Sequence, residues 1–167
     1  MRSCAVLNAR RLNFDGGLDF DALRSIADVR LHDASVGDEA LLAHVGDAEV
    51  VVTKELELSA SVIARFPASV KLIVEAGTGY NNVDRAACAL KRIELRNCPA
   101  YSTDAMATLV LTHVLNFSSS MMAQQKRLWA GDRAHFEDMD TNVGAMPHFE
   151  LNGAVIGLIG GNGAIGT

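Results

Sequence analysis

Several features are scarce in this chain of 167 residues, and each scarcity excludes a class of protein. The three cysteines, Cys4, Cys88 and Cys98, form no C-x-x-C pair, so neither a disulfide framework nor a cysteine zinc site is expected. No apolar run approaches the roughly 18 residues of a membrane-spanning helix. The net charge of −5 gives no electrostatic reason to expect nucleic acid or an anionic membrane as a partner.

The residues that are present indicate a globular protein with a packed core, because 49% are hydrophobic and 21% are charged. The histidines share no metal-ligand spacing, so no metal site is predicted. The first apolar stretch, Cys4–Leu7, is too short for the hydrophobic region of a signal peptide. Reduced thiols and the lack of a leader predict a cytoplasmic protein.

Strand and helix patterns alternate strictly over residues 1 to about 100. Five short apolar runs read as strands: Cys4–Leu7, Val29–His32, Val50–Val52, Leu72–Val74 and Glu94–Arg96. Helical patterns with capping residues lie between them. The expected inward positions are Phe20, Leu23 and Ile26 in a helix after Asp19; Leu41, Leu42 and Val45 in a helix over Asp38–Val45; and Val62, Ile63 and Phe66 in a helix after Ser59. A further helix is expected after Asp84. This alternation predicts an α/β fold: a flavodoxin-like parallel sheet of five strands with helices on both faces.

The pattern changes from Ser102 onward. Thr103 is the expected N-cap of a long helix that is apolar on most sides, which predicts a helix buried between two lobes, with a possible break at Ser118–Ser120. Near the end, Val155–Ile159 reads as a buried strand that runs into a glycine-rich turn.

That turn, Gly161–Gly166, satisfies the G-x-G-x-x-G pattern of dinucleotide sites. Its members Gly161, Gly163, Ala164, Ile165 and Gly166 are therefore the candidate cofactor-binding residues. In such sites the glycines let the backbone approach the pyrophosphate, which sits on the N-terminus of the following helix. The sequence stops one residue later, before that helix and before the acidic residue that would bind the ribose. We therefore expect the truncated start of a Rossmann lobe.

A second glycine loop follows the fourth predicted strand, at the sheet edge where open parallel sheets bind ligands. Gly77, Thr78 and Gly79 can bring backbone N–H groups together around an anion, and Tyr80 adds a hydroxyl group. The alternative is an ordinary flexible turn that ends in a helix cap. Thr103 could lie near the same crevice, or it could simply cap its helix.

Three motifs together resemble the D-isomer-specific 2-hydroxyacid dehydrogenase family: Glu75–Asp84, Asn97–Thr103 and Gly157–Gly166. They occur in the family's order and span most of the chain. The resemblance implies a substrate-binding lobe over residues 1–101, with Gly77–Tyr80 holding a substrate carboxylate. It also implies that residues 102–167 are an inter-lobe helix and the start of an incomplete NAD-binding domain, with Thr103 beside the nicotinamide.

The resemblance further implies an oxidoreductase that reduces a small 2-oxo acid such as hydroxypyruvate or glyoxylate with NAD or NADP, as a homodimer when full length. The family's catalytic histidine, arginine and acidic residue follow the glycine fingerprint, so no catalytic residue maps onto this chain. We therefore expect weak or no cofactor binding and no turnover from the chain alone. The alternative is a non-catalytic regulator or interaction module of the corepressor type.

Overall fold

The structure is a computed structural model that describes residues 1–134, 146 and 148–166. The chain divides into two compact units. The first unit is Met1–Tyr101 and the second unit is Ser102–Thr167. Each unit has its own secondary-structure elements.

The first unit is built on one sheet of five parallel strands in the order β2-β1-β3-β4-β5. The strands are β1 (Arg2–Val6), β2 (Ala27–Leu31), β3 (Val50–Thr53), β4 (Leu72–Glu75) and β5 (Glu94–Asn97). This is the strand order of flavodoxin-like folds, so the predicted fold class is confirmed. The order reverses between β1 and β3, which makes their carboxyl ends the expected ligand crevice.

Five helices connect these strands: α1 (Ala9–Leu12), α2 (Asp21–Arg24), α3 (Asp38–Val45), α4 (Ala60–Ala64) and α5 (Arg85–Lys91). Two predicted caps are confirmed. The Ser59 hydroxyl accepts from the Val62 N–H at 3.4 Å, and the Asp84 carboxylate accepts from the Ala87 N–H at 2.8 Å. The observed bounds of α3 equal the predicted ones, and Gly46 ends it with a φ of 51°.

The core of the first unit lies between the central strands and α3, α4 and α5. Strands β3 and β4 contribute the fully buried Val51 and Ile73. Of the predicted inward residues of the helices that pack on them, Leu42 is partly buried and the others are buried: Leu41, Val45, Val62, Ile63 and Phe66. Burial of these side chains stabilises the sheet because each removes apolar surface from water.

The prediction that a helix after Asp19 buries three apolar residues is wrong. Helix α2 has only four residues, none of them buried, and Ile26 beyond its end is 70% exposed. Phe20 alone of the three predicted inward residues is buried. Phe20 and Ile26 lie six positions apart, which a four-residue helix cannot cover on one face, so the periodicity overestimated its length.

The second unit contains α6 (Thr103–Ser119) and α7 (Met121–Trp129). The N-cap of α6 is Ser102 and not Thr103, which is the first helical residue. The predicted break is confirmed, because Ser120 adopts a left-handed φ of 51° between the two helices.

The prediction that α6 is buried is wrong. Large apolar side chains along it are exposed, among them Leu111, Leu115 and Phe117 at 57% to 67%. Phe117 packs edge-to-face on Phe149 at 5.5 Å between ring centroids, but the described part of the second unit has too few elements to cover a helix that is apolar all round.

The predicted strand Val155–Ile159 is also wrong. These residues adopt no regular secondary structure, and the side chains of Val155 and Ile159 are almost completely exposed. The described residues of the second unit include no other strand with which this segment could pair. A lone strand leaves its backbone groups unpaired, so sequence pattern alone does not make one.

Candidate active site

Asn8 and Lys54 meet at the point where the strand order reverses. Asn8 follows β1, and its side-chain amide donates through Nδ2 to the Lys54 carbonyl and accepts through Oδ1 from the Lys54 N–H at 2.9 Å. The backbone of Lys54 is therefore held on both sides at the carboxyl end of β3.

The Lys54 ammonium group is largely covered, with 15% of its side chain exposed. Nζ donates to the Tyr101 hydroxyl at 3.0 Å and lies 3.4 Å from a carboxylate oxygen of Glu55. Burial lowers the pKa of Lys54, but the bond to Tyr101 and the Glu55 carboxylate outweigh it and raise that pKa above its ordinary value. Lys54 is therefore a fixed cation at neutral pH.

The GTG loop, Gly77–Gly79, follows β4 next to this cation. Its carbonyl groups are used: Gly77 accepts from the Cys98 N–H at 3.0 Å, and Thr78 accepts from the Asn97 side-chain amide at 2.7 Å. The Thr78 hydroxyl donates to the Cys98 carbonyl at 3.3 Å. Among the hydrogen bonds described for residues 1–134, none is donated by a backbone N–H group of the loop, so these N–H groups remain for a ligand.

Gly77 is required for space rather than for backbone freedom. A Cβ atom there would lie 3.0 Å from Glu75 Oε1 and 3.2 Å from Lys54 Nζ. Neither Gly77 nor Gly79 has a positive φ, so the loop is not the alternating nest that the glycine spacing suggested. The Lys54 ammonium group thus lies directly beside the backbone of Gly77.

Tyr80 faces another part of the first unit. The Arg85 guanidinium lies 5.7 Å from the centroid of its ring, and both residues line a cavity of about 360 Å³ with Cys88 and Asn97. The structure therefore places Gly77 beside Lys54. Gly79 and Tyr80 line a further, open cavity of about 620 Å³ together with Arg85.

A larger cavity of about 420 Å³ is lined by Glu55, Glu57 and Asp84 among others. A hydrogen bond from Arg11 lowers the pKa of Glu55, so that carboxyl group is ionised at neutral pH. Among the described residues, three carboxylates line this cavity and no lysine or arginine does, so it is not a candidate site for an anionic substrate.

The predicted cofactor residues Gly161, Gly163, Ala164, Ile165 and Gly166 lie in the second unit as two successive turns. The Gly163 N–H donates to the Gly160 carbonyl at 2.9 Å, and the Gly166 N–H donates to the Gly163 carbonyl at 3.0 Å. No helix begins within the described residues of this segment, so the N–H groups that would hold a pyrophosphate are not assembled. Thr103 belongs to the first turn of α6 in the same unit.

Four residues of this cluster were not predicted as site residues from the sequence: Asn8, Lys54, Glu75 and Tyr101. Three of them carried a usable signal, because Asn8, Lys54 and Glu75 each stand one or two residues past an apolar run that reads as a strand. Nothing in the spacing places Tyr101 against Lys54, since 47 residues separate them.

Comparison with known proteins gives a family match over most of the chain. Residues 17–147 match the family model described as D-isomer specific 2-hydroxyacid dehydrogenase, catalytic domain. A hydroxypyruvate reductase of Blautia hydrogenotrophica is 27% identical over 157 residues, which cover 93% of this chain and 48% of that protein.

Solved structures show the same fold. D-2-hydroxyisocaproate dehydrogenase aligns with a TM-score of 0.67 at 21% identity, over 99% of this chain and 48% of that one. D-lactate dehydrogenase of Aquifex aeolicus, solved with NAD and lactic acid, aligns with a TM-score of 0.67 at 17% identity, over 90% and 42% respectively. The chain spans less than half the length of each of these relatives.

Proposed function

Since the chain belongs to the D-isomer-specific 2-hydroxyacid dehydrogenase family, we propose that residues 1–101 are the substrate-binding lobe of an oxidoreductase acting on small 2-hydroxy and 2-oxo acids. The substrate carboxylate would bind the GTG loop, with Lys54 as its cationic partner. Hydroxypyruvate and glyoxylate are the proposed substrates, and the hydroxypyruvate reductase among the relatives supports the first.

One observation carries this proposal: the Lys54 ammonium group lies beside the Gly77 backbone, as the 3.2 Å separation from a Cβ built there shows. A carboxylate on the N–H groups of the loop would therefore meet a fixed positive charge. Hydrogen bonds of this charge-assisted kind contribute about 1.5–3 kcal/mol each. The loop carbonyls of Gly77 and Thr78 are held by the β5 side, so the loop is ordered before a ligand arrives.

In this arrangement the chain's own residues bind and orient the acid. Lys54 and the loop N–H groups would fix the carboxylate, and the Tyr101 hydroxyl would hold the ammonium group in place. The 2-carbon of the substrate would then face outward from the carboxyl edge of the sheet. The proposed role of this cluster is recognition of the acid.

The family is NAD(P)-dependent, and NAD or NADP is the proposed cofactor of the whole reaction. The residues present do not fit a dinucleotide as they are arranged here. Val155–Ile159 forms no strand, and the turns of Gly161–Gly166 lead into no helix within the described residues. Residues 102–167 remain, as a proposal, the inter-lobe helix and the first part of an NAD-binding domain, with Thr103 beside the nicotinamide.

Homodimerisation of the complete enzyme is likewise proposed, and the exposed apolar side chains of α6 support it. A cytoplasmic location is proposed on the three free cysteines, of which Cys4 and Cys88 are buried. Among the described residues, every helix is too short or too polar to cross a bilayer. The relatives named above are reductases and dehydrogenases, and no observation favours the corepressor-type alternative.

Oxalate, a planar carboxylate analogue of a 2-oxo acid, is the probe that tests the proposal. We expect Lys54→Gln to weaken oxalate binding to the full chain by roughly ten- to a hundredfold, as loss of one charge-assisted contact implies. Lys71→Gln is the matched control, because Lys71 precedes β4 at the opposite edge of the sheet. Equal affinities for the two variants, measured by calorimetry, would contradict the proposed role of Lys54.

A further inference from the structure

The carboxylate of Glu75 is a fully buried acidic group with no part in the carboxylate recognition described above. It ends β4, and its relative exposure is 0%. We infer that Glu75 is a positioning residue, which holds Lys54 and the GTG loop in the geometry that binds the substrate carboxylate. This inference rests on the proposed function.

One oxygen of Glu75 fixes the peptide unit that follows Lys54. Oε1 accepts from the Glu55 N–H at 3.0 Å, while the Lys54 carbonyl of the same peptide unit accepts from the Asn8 amide. The plane of that peptide is therefore held from both of its sides, by Asn8 and by Glu75. Because this plane sets the direction of the Lys54 Cα–Cβ bond, it controls where the ammonium group lies.

The conformation that Glu75 holds is one that the chain does not adopt readily. Glu55 has a φ of 56°, which is left-handed and unfavourable for a residue with a side chain, by about 1 kcal/mol or more. The hydrogen bond to a buried carboxylate offsets this strain. Without it, Glu55 would relax towards negative φ and Lys54 would move with it.

The other oxygen of Glu75 ties down the second half of the site. Oε2 accepts from the Asn82 side-chain amide at 2.9 Å, and the same amide donates to the Leu56 carbonyl at 2.8 Å. The Asn82 carbonyl in turn accepts from the Leu58 N–H at 2.8 Å. One carboxylate thus joins the loop after β3 to the loop after β4.

Contact with Gly77 completes the arrangement. Oε1 lies 3.0 Å from the position of a Cβ on Gly77, so the carboxylate packs directly against the loop backbone. Glutamine in place of Glu75 would keep the shape but could accept only through one oxygen. Its NH₂ group would face either the Glu55 N–H or the Asn82 amide, which are both donors, and one of the two contacts must be lost.

The test is Glu75→Gln in the full chain, with Glu57→Gln as a control that removes one exposed carboxylate from the same stretch. We expect Glu75→Gln to weaken oxalate binding roughly tenfold or more and to shift the backbone amide resonances of Glu55 and Lys54, while amides within β1 and β3 stay in place. We expect Glu57→Gln to leave oxalate affinity unchanged or slightly higher.

A merely structural role would lower the melting temperature of Glu75→Gln, and would shift the Glu55 amide that Glu75 bonds directly, but would leave the oxalate affinity and the Lys54 amide unchanged. That result would overturn the inference. Tighter oxalate binding by Glu75→Gln would overturn it too, because the buried charge would then only repel the ligand. If the wild-type chain bound no oxalate, the proposed function would fail, whereas the Lys54 amide resonance in Glu75→Gln would still report on the positioning.

Should Glu75→Gln not fold, Asn82→Ala decides the question, since it removes the donor to Oε2 and leaves Glu55 bound. A several-fold loss of oxalate affinity with a shifted Glu55 amide supports the inference. An unchanged affinity and amide would refute it.

Discussion

Replacing Gly77 by alanine tests the packing of the proposed site most sharply. The new Cβ would lie 3.0 Å from Glu75 Oε1 and 3.2 Å from Lys54 Nζ, closer than such atoms normally come. Lys54 Nζ is the far end of a flexible side chain, so it can move away from the new Cβ atom. Glu75 cannot, because it is buried and its two oxygens accept from Glu55 and Asn82.

The expected magnitude follows from these distances. Overpacking of this kind costs about 1–3 kcal/mol, and the smaller freedom of alanine in the unfolded chain offsets about 0.4–1 kcal/mol of it. Gly77 has no positive φ, so no further backbone strain is added. The net loss of about 1–2 kcal/mol should lower the melting temperature by roughly 4–8 °C per kcal/mol for a unit of this size. Oxalate affinity should fall as well, because Lys54 is displaced.

Gly79→Ala is the matched control for this experiment. A Cβ there would meet only Asn81 Oδ1, at an ordinary 3.5 Å, and φ is again not positive. We expect unchanged stability or a gain of about 0.4–1 kcal/mol. Urea denaturation of both variants gives the comparison. If Gly77→Ala were as stable as Gly79→Ala, the close packing of the GTG loop on Glu75 would be refuted.

Two further predictions concern the rest of the first unit. Burial, then the stacked His44 ring at 4.0 Å between centroids and the Arg30 charge, lower the pKa of His32, so its neutral form is favoured when folded. The unfolded chain then takes up the proton first, at about pH 6.5, so the free energy of unfolding should fall as the pH drops from about 7 towards the lowered pKa of folded His32. The variant His32→Asn should flatten this pH dependence, and an unchanged slope would contradict the reasoning. Asp84→Ala should cost about 0.5–2 kcal/mol in urea denaturation through loss of the α5 cap, whereas Asp84→Asn keeps an acceptor and should stay close to wild type; equal losses would argue against the cap.

Much of the fold could be predicted because local signals agreed with one another. In α3, apolar spacing and a closing glycine gave both ends of the helix. The strand Val50–Thr53 is β-branched throughout and central, so propensity and burial pointed the same way. Where a signal depended on partners elsewhere, it failed: Val155–Ile159 has the composition of a buried strand but no strand to pair with among the described residues.

The candidate site was predicted only in part for a similar reason. The GTG loop was recognisable because glycines after a strand are a local feature. Lys54 and Tyr101 are brought together only by the sheet order, and the need for glycine at position 77 comes from Glu75 and Lys54 rather than from φ. Periodicity cannot show contacts of this kind, because they join residues that are far apart in the sequence.

Amide resonances of the isotope-labelled chain during titration with oxalate test the central claim most directly. The account predicts saturable shifts at Gly77, Thr78 and Gly79, with Gly161 and Gly166 unmoved. Shifts confined to the glycines of the second unit, or no saturable shift in the GTG loop, would contradict it.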